Sequence, residues 1–334
     1  VYGHIEASCG YDNAPEIGLI AHMDTSPAVS GKDVKPQIIV FDGKNAPMVD
    51  GKYIGEELIV SDKTTLLGAD DKAGVAEIMA ACERIIADDT MKHGRISICF
   101  TPDEEIGRGA DRFDFERFGA DFAYTVDGGE LGEISNENFN AAAVELTVHG
   151  INTHPGSAKN KMRNAILFLN EFINLLPAAE IPACTEGREG FYHIDSVSGN
   201  ETEARLSMLI RDFDKESFEK RKQYVESIVA FLNKKYGGAT FEVSVTDSYY
   251  NMLEIIEKYP EITARIESAM RKAGVKPEFE PIRGGTDGAR LSFEGLPCPN
   301  LSTGGMNFHS IYEAIPVKSL EKMTDVLINI LCED

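Results

Sequence analysis

Two adjacent carboxylates, Asp70 and Asp71, lie within the segment Leu-Leu-Gly-Ala-Asp-Asp-Lys-Ala-Gly at residues 66–74. Apolar residues recur after the pair at the spacing of one helix face, at Val75, Ile78, Met79, Cys82, Ile85 and Ile86. This spacing predicts a helix with a buried stripe. The pair then lies at a helix N-terminus, where backbone N–H groups favour negative charge. Asp70 is either a helix cap or a carboxylate that bridges two metal ions, and the second interpretation requires ligands from elsewhere in the chain.

Further residues of metal-binding type come soon after three apolar runs. They are His22 and Asp24 after residues 17–21, Glu104 and Glu105 after residues 95–100, and Asp127 after residues 122–126. Short apolar runs are typical of strands buried on both faces of a parallel sheet, and ligands bind beyond the carboxyl ends of such strands. Independent solvated charges have no reason to recur at these positions. The pattern therefore predicts that these side chains share one site.

Three more residues are candidates for contact with a ligand. His154 precedes Pro155 in a segment with glycine on both sides, where it either caps a turn or has a functional role. Arg283 begins the Gly-rich segment 283–289, and its guanidinium either pairs with a carboxylate or belongs to the ordinary surface. His309 ends another Gly-rich segment, close to the end of a predicted strand.

The pattern of predicted elements indicates an α/β protein with a sheet flanked by helices. From about residue 140 the order changes to β-α-β-β-α-β, which is the ferredoxin-like pattern. We therefore predict a domain inserted into another. Residues 1–138 form the first part of a catalytic, metal-binding domain, residues 139–247 form a lid or dimerisation domain, and residues 248–334 complete the catalytic domain.

Composition excludes several classes of partner. The 334 residues carry 33 basic and 55 acidic side chains, for a formal charge of −22, so a nucleic acid would be repelled. No run approaches the roughly 20 apolar residues that a membrane span requires. The six cysteines are scattered and form no Cys-x-x-Cys pair, which favours the reducing cytoplasm over a disulfide framework.

Together these motifs resemble the M20 family of two-zinc metallopeptidases, and within it the tripeptide aminopeptidases. The longest matching strings are His-Met-Asp-Thr-Ser-Pro at 22–27, the segment at 66–74 and Thr-Pro-Asp-Glu-Glu-Ile-Gly at 101–107. Shorter strings at 126–129, 154–156, 189–193, 211–214, 283–289 and 296–301 add to the resemblance. The similarity covers essentially the whole chain, and it implies a zinc-peptidase-like sheet with an inserted lid domain.

The resemblance implies two Zn²⁺ ions per subunit, and nitrogen and oxygen ligands of this kind also suit Co²⁺ or Mn²⁺. It assigns His22 and Asp127 to one ion, Glu105 and His309 to the other, and Asp70 to both. The peptide bond that follows the bridging Asp is cis in relatives, which predicts a cis bond after Asp70.

The resemblance also implies the roles of the remaining residues. Glu104 is the general base for a hydroxide that bridges the two metal ions, and Asp24 supports His22. His154 reaches the active site from the lid domain, in dimeric relatives that of the partner subunit, so a homodimer through the lid is expected. Arg283 binds the terminal carboxylate of a small peptide substrate.

Two alternatives stay open at this point. The chain could have another M20 activity, as a dipeptidase, a carboxypeptidase or an N-acyl amino acid deacylase, because the same metal site serves all of these. It could also be a non-catalytic protein that binds a metal or a peptide. Relatives of that second kind should have lost a ligand or the base, whereas every position is filled here.

Overall fold

The computed structural model describes residues 1–333, which form sixteen strands and eight α-helices. The strands are Tyr2–Ile5 (β1), Ile17–His22 (β2), Gln37–Val40 (β3), Glu57–Val60 (β4), Lys92–His93 (β5), Ile96–Thr101 (β6), Phe122–Gly128 (β7), Glu133–Ser135 (β8), Asn140–His149 (β9), Phe191–Gly199 (β10), Glu203–Asp212 (β11), Phe241–Tyr249 (β12), Glu278–Phe279 (β13), Asn300–Ser302 (β14), Ala314–Pro316 (β15) and Cys332–Glu333 (β16). The helices are Ala69–Ala87 (α1), Phe115–Phe118 (α2), Ala165–Leu175 (α3), Lys215–Tyr236 (α4), Leu253–Ile256 (α5), Pro260–Lys272 (α6), Asp287–Phe293 (α7) and Val317–Leu331 (α8).

The chain divides into two compact units, and the first comprises Val1–Glu137, Met252–Pro281 and the chain from Thr286. Its main sheet has seven strands in the order β1-β6-β2-β7-β14-β8-β13. Strands β6, β2, β7 and β14 are parallel, β1 runs antiparallel to β6 and β8 antiparallel to β14, and the edge strand β13 is parallel to β8. The sequence predicts an α/β sheet flanked by helices, which is confirmed; the structure adds that the sheet is mixed.

The central strand β2 is buried along its whole length, as its unbroken apolar run predicts. Its register places His22 opposite Thr101 at the end of β6, and Ile20 opposite Thr125, two residues before Asp127 in β7. The carboxyl ends of these three neighbouring strands therefore meet at one edge of the sheet. The candidate ligands that follow them are brought to a common place by this register.

Helix α1 buries a narrower face than the sequence predicts. Ile78, Cys82 and Ile85 belong to the main hydrophobic core with α6, α8 and the sheet. Met79 and Ile86, which the sequence also places in the buried stripe, are 52% and 66% exposed. The helix instead turns small residues such as Gly74 toward the sheet, which allows a close approach to β7.

The second unit comprises Asn138–Asn251 and Ile282–Gly285. Its four-stranded antiparallel sheet has the order β10-β11-β9-β12, and α3 and α4 pack against the sheet around a core of its own. The element order β9-α3-β10-β11-α4-β12 and the strand order are those of a ferredoxin-like unit.

Residues 282–285 pack with this second unit, whereas the sequence reading groups them with the flanking domain. Phe139 donates a backbone hydrogen bond of 3.2 Å to the carbonyl of Ile282. The Arg283 guanidinium stacks on the rings of Phe139 and Phe191, at 5.1 and 5.7 Å from their centroids. These contacts join residues that are far apart in sequence, so local patterns carry no sign of them.

Two further features concern the described part of the chain. No helix within residues 1–333 is both long enough and apolar enough to cross a membrane. All six cysteines are free thiols, and Cys82, Cys99 and Cys298 are buried in the core.

Candidate metal centre

The His22 side chain lies at the end of β2 and is 2% exposed. Its Nε2 atom lies 2.8 Å from Oδ1 of Asp70 and 3.4 Å from Oδ1 of Asp127. Its Nδ1 atom lies 3.4 Å from Oδ1 of Asp24, although the angles do not form a hydrogen bond. A buried histidine is thus surrounded by carboxylates that come from three separate segments.

Asp70 divides its two carboxylate oxygens between two histidines. Oδ1 faces Nε2 of His22 at 2.8 Å, and Oδ2 faces Nε2 of His309 at 3.0 Å. Nε2 of His309 also lies 3.1 Å from Oε2 of Glu105. The peptide bond between Asp70 and Asp71 is cis, which confirms the expectation from the family resemblance. The contacts form two groups of side chains with Asp70 common to both.

Asp71 has a different environment from its neighbour. Its carboxylate is fully buried, and it accepts the backbone N–H of His22 at 2.9 Å and that of Gly74 at 3.2 Å. The second of these contacts caps the first regular turn of α1, whose backbone becomes helical only after Asp71. Of the two interpretations considered for this pair, helix capping applies to Asp71, while the Asp70 side chain faces the histidines.

The turn that carries Glu104 and Glu105 is held by Asp24. The two Asp24 oxygens accept the backbone N–H groups of Glu104 at 3.2 Å and of Glu105 at 3.1 Å. The sequence predicted only that Asp24 supports His22, and it missed this second contact because a spacing pattern shows nothing about which backbone groups a carboxylate will meet. Asp24 therefore links the end of β2 to the turn after β6.

The site carries an excess of negative charge in a largely buried setting. Burial opposes protonation of His22, but Asp127 and Asp70 outweigh it and raise the His22 pKa to about 12. Burial raises the pKa of Asp127 to about 6 despite the hydrogen bond from His22. Burial, together with repulsion from Asp127 and Asp287, raises the pKa of Glu104 to about 9. The carboxylates that raise the pKa of His22, and the repulsion that Glu104 meets from Asp127 and Asp287, reflect a surplus of negative charge that favours added positive charge.

The residues present fit a divalent cation. Ligand atoms of His22, Asp70 and Glu105 lie within 4.8 Å of one another, as do those of His22, Asp71 and Asp127. Within residues 1–333, the buried Oε1 atom of Glu105 lacks a hydrogen-bond partner, a costly state for a polar atom unless something else binds there. Imidazole and carboxylate ligands of this kind suit Zn²⁺ and similar ions.

Two of the predicted site residues, His154 and Arg283, belong to the second unit. The Nδ1 atom of His154 accepts the N–H of Gly156 at 3.1 Å, so His154 caps the short turn Pro155–Ser157. Arg283 donates hydrogen bonds to the carbonyl oxygens of Gly187, Glu189 and Thr185 and to the hydroxyl of Thr185. The other predicted residues all lie in the first unit.

Comparison with known proteins identifies the family of the chain. Residues 136–240 match the family model of the M20 peptidase dimerisation domain. The protein named peptidase T from Halothermothrix orenii is 52% identical in an alignment that covers 99% of this chain and 85% of that protein.

Solved structures give the same relationship. The aminopeptidase PepT of Bacillus cereus superposes with a TM-score of 0.81 at 27% identity, covering 99% of this chain and 83% of that one. The YXEP protein of Bacillus subtilis, described as a dinuclear metal-binding peptidase of the M20 family, has a TM-score of 0.65 at 16% identity, with 99% and 83% coverage, and shares the fold. The chain is a peptidase, and it belongs to the peptidase T group of the M20 family.

Proposed function

We propose that this peptidase is an aminopeptidase that releases the N-terminal residue of tripeptides with the help of two zinc ions. The observation that carries the proposal is Asp70, whose two oxygens face two different histidines at 2.8 and 3.0 Å. A carboxylate placed in this way is suited to bridging two cations. The peptidase T relative at 52% identity supports the choice of substrate class.

The proposed ligand sets follow the two groups of contacts. His22 and Asp127 would hold one ion, Glu105 and His309 would hold the other, and Asp70 would hold both. When bound, such ions polarise the scissile carbonyl and lower the pKa of a coordinated water toward about 7. Zn²⁺ is the ion that we propose, with Co²⁺ or Mn²⁺ as substitutes.

Glu104 is the proposed general base. Its backbone is fixed by Asp24, and its carboxyl group is close enough to Asp127 and Asp287 for their charge to raise its pKa. Positive charge in the site would favour the anionic form of Glu104 at neutral pH, so that its oxygens accept the proton of the attacking water. The same carboxyl group then returns the proton to the leaving amine.

The second unit supplies the remaining proposed contacts. We propose that Arg283 binds the terminal carboxylate of the peptide, which requires its guanidinium to exchange some of its present carbonyl partners for that carboxylate. The match of residues 136–240 to a dimerisation domain supports a homodimer in which His154 of one subunit acts in the active site of the other. Six free thiols support a location in the reducing cytoplasm.

A peptide series on the purified chain tests this function. We expect hydrolysis of the first bond of Ala-Ala-Ala, and we expect no hydrolysis after acetylation of its N-terminus. Chelation should abolish the activity, and added Zn²⁺ should restore it. Cleavage of Ala-Ala would indicate a dipeptidase, release of the C-terminal residue a carboxypeptidase, and hydrolysis of N-acyl amino acids a deacylase. Metal binding without hydrolysis of any of these compounds would refute the proposed tripeptide substrate class.

A further inference from the structure

One buried carboxylate contacts the metal-site loops without being a predicted ligand. Glu313 lies between His309 and β15, and it is 1% exposed. No local pattern in the sequence distinguishes this glutamate from the other acidic residues of the chain. A carboxylate buried in this way is stable only where several groups donate hydrogen bonds to it. The donors to Glu313 therefore show which segments it links.

Glu313 accepts three backbone N–H groups from the segment that ends at Asp70. Oε2 accepts the N–H groups of Leu67 and Gly68, both at 2.7 Å, and Oε1 accepts the N–H of Asp70 at 2.9 Å. These distances are short, as expected for hydrogen bonds to an ionised acceptor. Gly68 has a left-handed backbone and Asp70 a non-helical one. Because this segment is not a regular helix, its backbone N–H groups donate to the Glu313 carboxylate instead of to helical carbonyl groups.

The loop that carries His309 is closed at its base. Met306 and Ala314 exchange backbone hydrogen bonds of 2.9 and 3.1 Å, and Glu313 lies directly beside this bridge. The side chain of Glu313 therefore extends from the base of the His309 loop to the backbone of the Asp70 segment. Two connections join the same two loops: the contact between His309 and Asp70, and the three hydrogen bonds of Glu313.

We propose that Glu313 is a positioning residue for the metal centre: it ties the Asp70 segment to the His309 loop, so that ligands more than 200 residues apart in sequence keep one geometry. This inference rests on the proposed metal-binding function. Glutamine at position 313 can accept through only one oxygen, and its NH₂ group would face a backbone N–H. At least one of the three N–H groups would then lose its partner.

The test compares metal binding by the full chain and by the variant Glu313→Gln. Zn²⁺ affinity is measured by competition with a chelator, and the Co²⁺ form is examined by its absorption spectrum. We expect Glu313→Gln to bind Zn²⁺ about 10–100-fold more weakly, the usual effect of changing a residue behind a ligand, with an altered Co²⁺ spectrum. The matched control is Glu77→Gln, because Glu77 is equally buried but its side-chain oxygens accept no hydrogen bond within residues 1–333. It should keep the wild-type affinity and spectrum.

The outcomes separate positioning from a merely structural role. Wild-type Zn²⁺ affinity and Co²⁺ spectrum in Glu313→Gln, with only a lower melting temperature of the metal-free protein, would overturn the proposal. If Glu313→Gln does not fold, Glu313→Asp decides: its shorter side chain cannot reach all three N–H groups, so weaker binding supports the proposal and unchanged binding refutes it. A wild-type chain that binds no metal would instead refute the proposed function itself.

Discussion

Two neighbouring aspartates have different tasks because their side chains leave the backbone in different directions. Asp70 faces His22 and His309, while Asp71 accepts the backbone N–H groups of His22 and Gly74. Asp71 thus fixes the backbone of the histidine whose ring meets Asp70. The pair combines a candidate ligand with a residue that holds another ligand in place.

Replacing Glu104 with glutamine removes the proposed base and keeps the size of the side chain. We expect kcat for Ala-Ala-Ala to fall by about 10²–10⁴-fold, the usual contribution of a general base, while bound zinc stays at the wild-type level. Metal content is measured by atomic absorption on the same preparation. The comparison is Glu105→Gln, which should lose zinc. A zinc loss in Glu104→Gln instead would mean that the roles of the two glutamates are reversed.

Glu77 of α1 predicts a specific dependence of stability on pH. It is 1% exposed, neither of its oxygens has a hydrogen-bond partner within residues 1–333, and burial raises its pKa well above 4.5. The folded protein keeps this proton at a pH where the unfolded chain has lost it. The contribution of this raised pKa to the free energy of unfolding is fully present below pH 4.5. It is lost as the pH rises, by up to about 1.4 kcal/mol per pH unit, until the pH passes the pKa of Glu77 in the folded state.

Glu77→Gln removes this titration. We therefore expect the free energy of unfolding of the variant, relative to wild type, to increase as the pH is raised from about 5 to about 8. Urea unfolding at several pH values measures it, and the titration of all other groups cancels in the comparison. Parallel stability curves for the two proteins would show that Glu77 is not held neutral in the fold.

At the scale of elements, the approach of α1 to β7 decides where Asp70 and Asp71 lie. A Cβ atom added at Gly74 would be 2.0 Å from the carbonyl oxygen of Val126 and 2.5 Å from Oδ1 of Asp71. The helix can lie this close to the strand only because position 74 has no side chain. The distance between the first turn of α1 and the end of β7 thus depends on one glycine.

Gly74→Ala should therefore lower the free energy of unfolding by about 1–3 kcal/mol, the usual cost of overpacking, and it should weaken zinc binding by displacing Asp71. Urea unfolding of the metal-free protein and chelator competition measure the two effects. Gly3→Ala in β1 is the control, since an added Cβ there meets no atom within 4 Å. Equal stability of the two variants would contradict the close packing of α1.

At the scale of the whole molecule, every proposed metal ligand belongs to the first unit. The inserted segment begins and ends at neighbouring points, because the backbone N–H of Asn138 lies 3.3 Å from the side-chain oxygen of Asn251. The first unit has its own core of strands and of α1, α6 and α8. These features indicate that metal binding does not require the inserted segment.

Replacing residues 139–250 by a short Gly-Ser linker tests this independence. We expect the shortened chain to fold and to be stabilised by zinc, by about 2.7 kcal/mol for each bound ion at a free ion concentration 100 times its Kd. It should not hydrolyse tripeptides, because His154 is removed and Arg283 loses its partners. Asp70→Ala in the same shortened chain is the control: it removes the carboxylate proposed to hold both ions and should lose most of the zinc stabilisation. A folded shortened chain that fails to bind zinc would contradict the assignment of the ligands to the first unit.

The sequence by itself determined the features that depend on contiguous residues. Apolar runs predicted β2, β6 and β7, and the alternating and helical periods predicted the β-α-β-β-α-β order, since side-chain spacing reflects which face of an element is buried. Most candidate ligands could be placed in one site because they lie at or soon after strand ends, which parallel neighbours bring together, whereas Asp70 lies at the start of α1 and the role of each ligand came from the family resemblance.

The tertiary structure alone decided how those residues are held. Glu313 meets backbone groups 243–246 positions away, Asp24 meets the turn at Glu104, and residues 282–285 join the second unit. Met79 and Ile86 share the period of the buried stripe but are exposed, because the neighbours of a helix determine how wide a face it buries. Contacts between segments that are far apart in sequence produce no periodic pattern of residues. Each contact depends on where the fold places both segments.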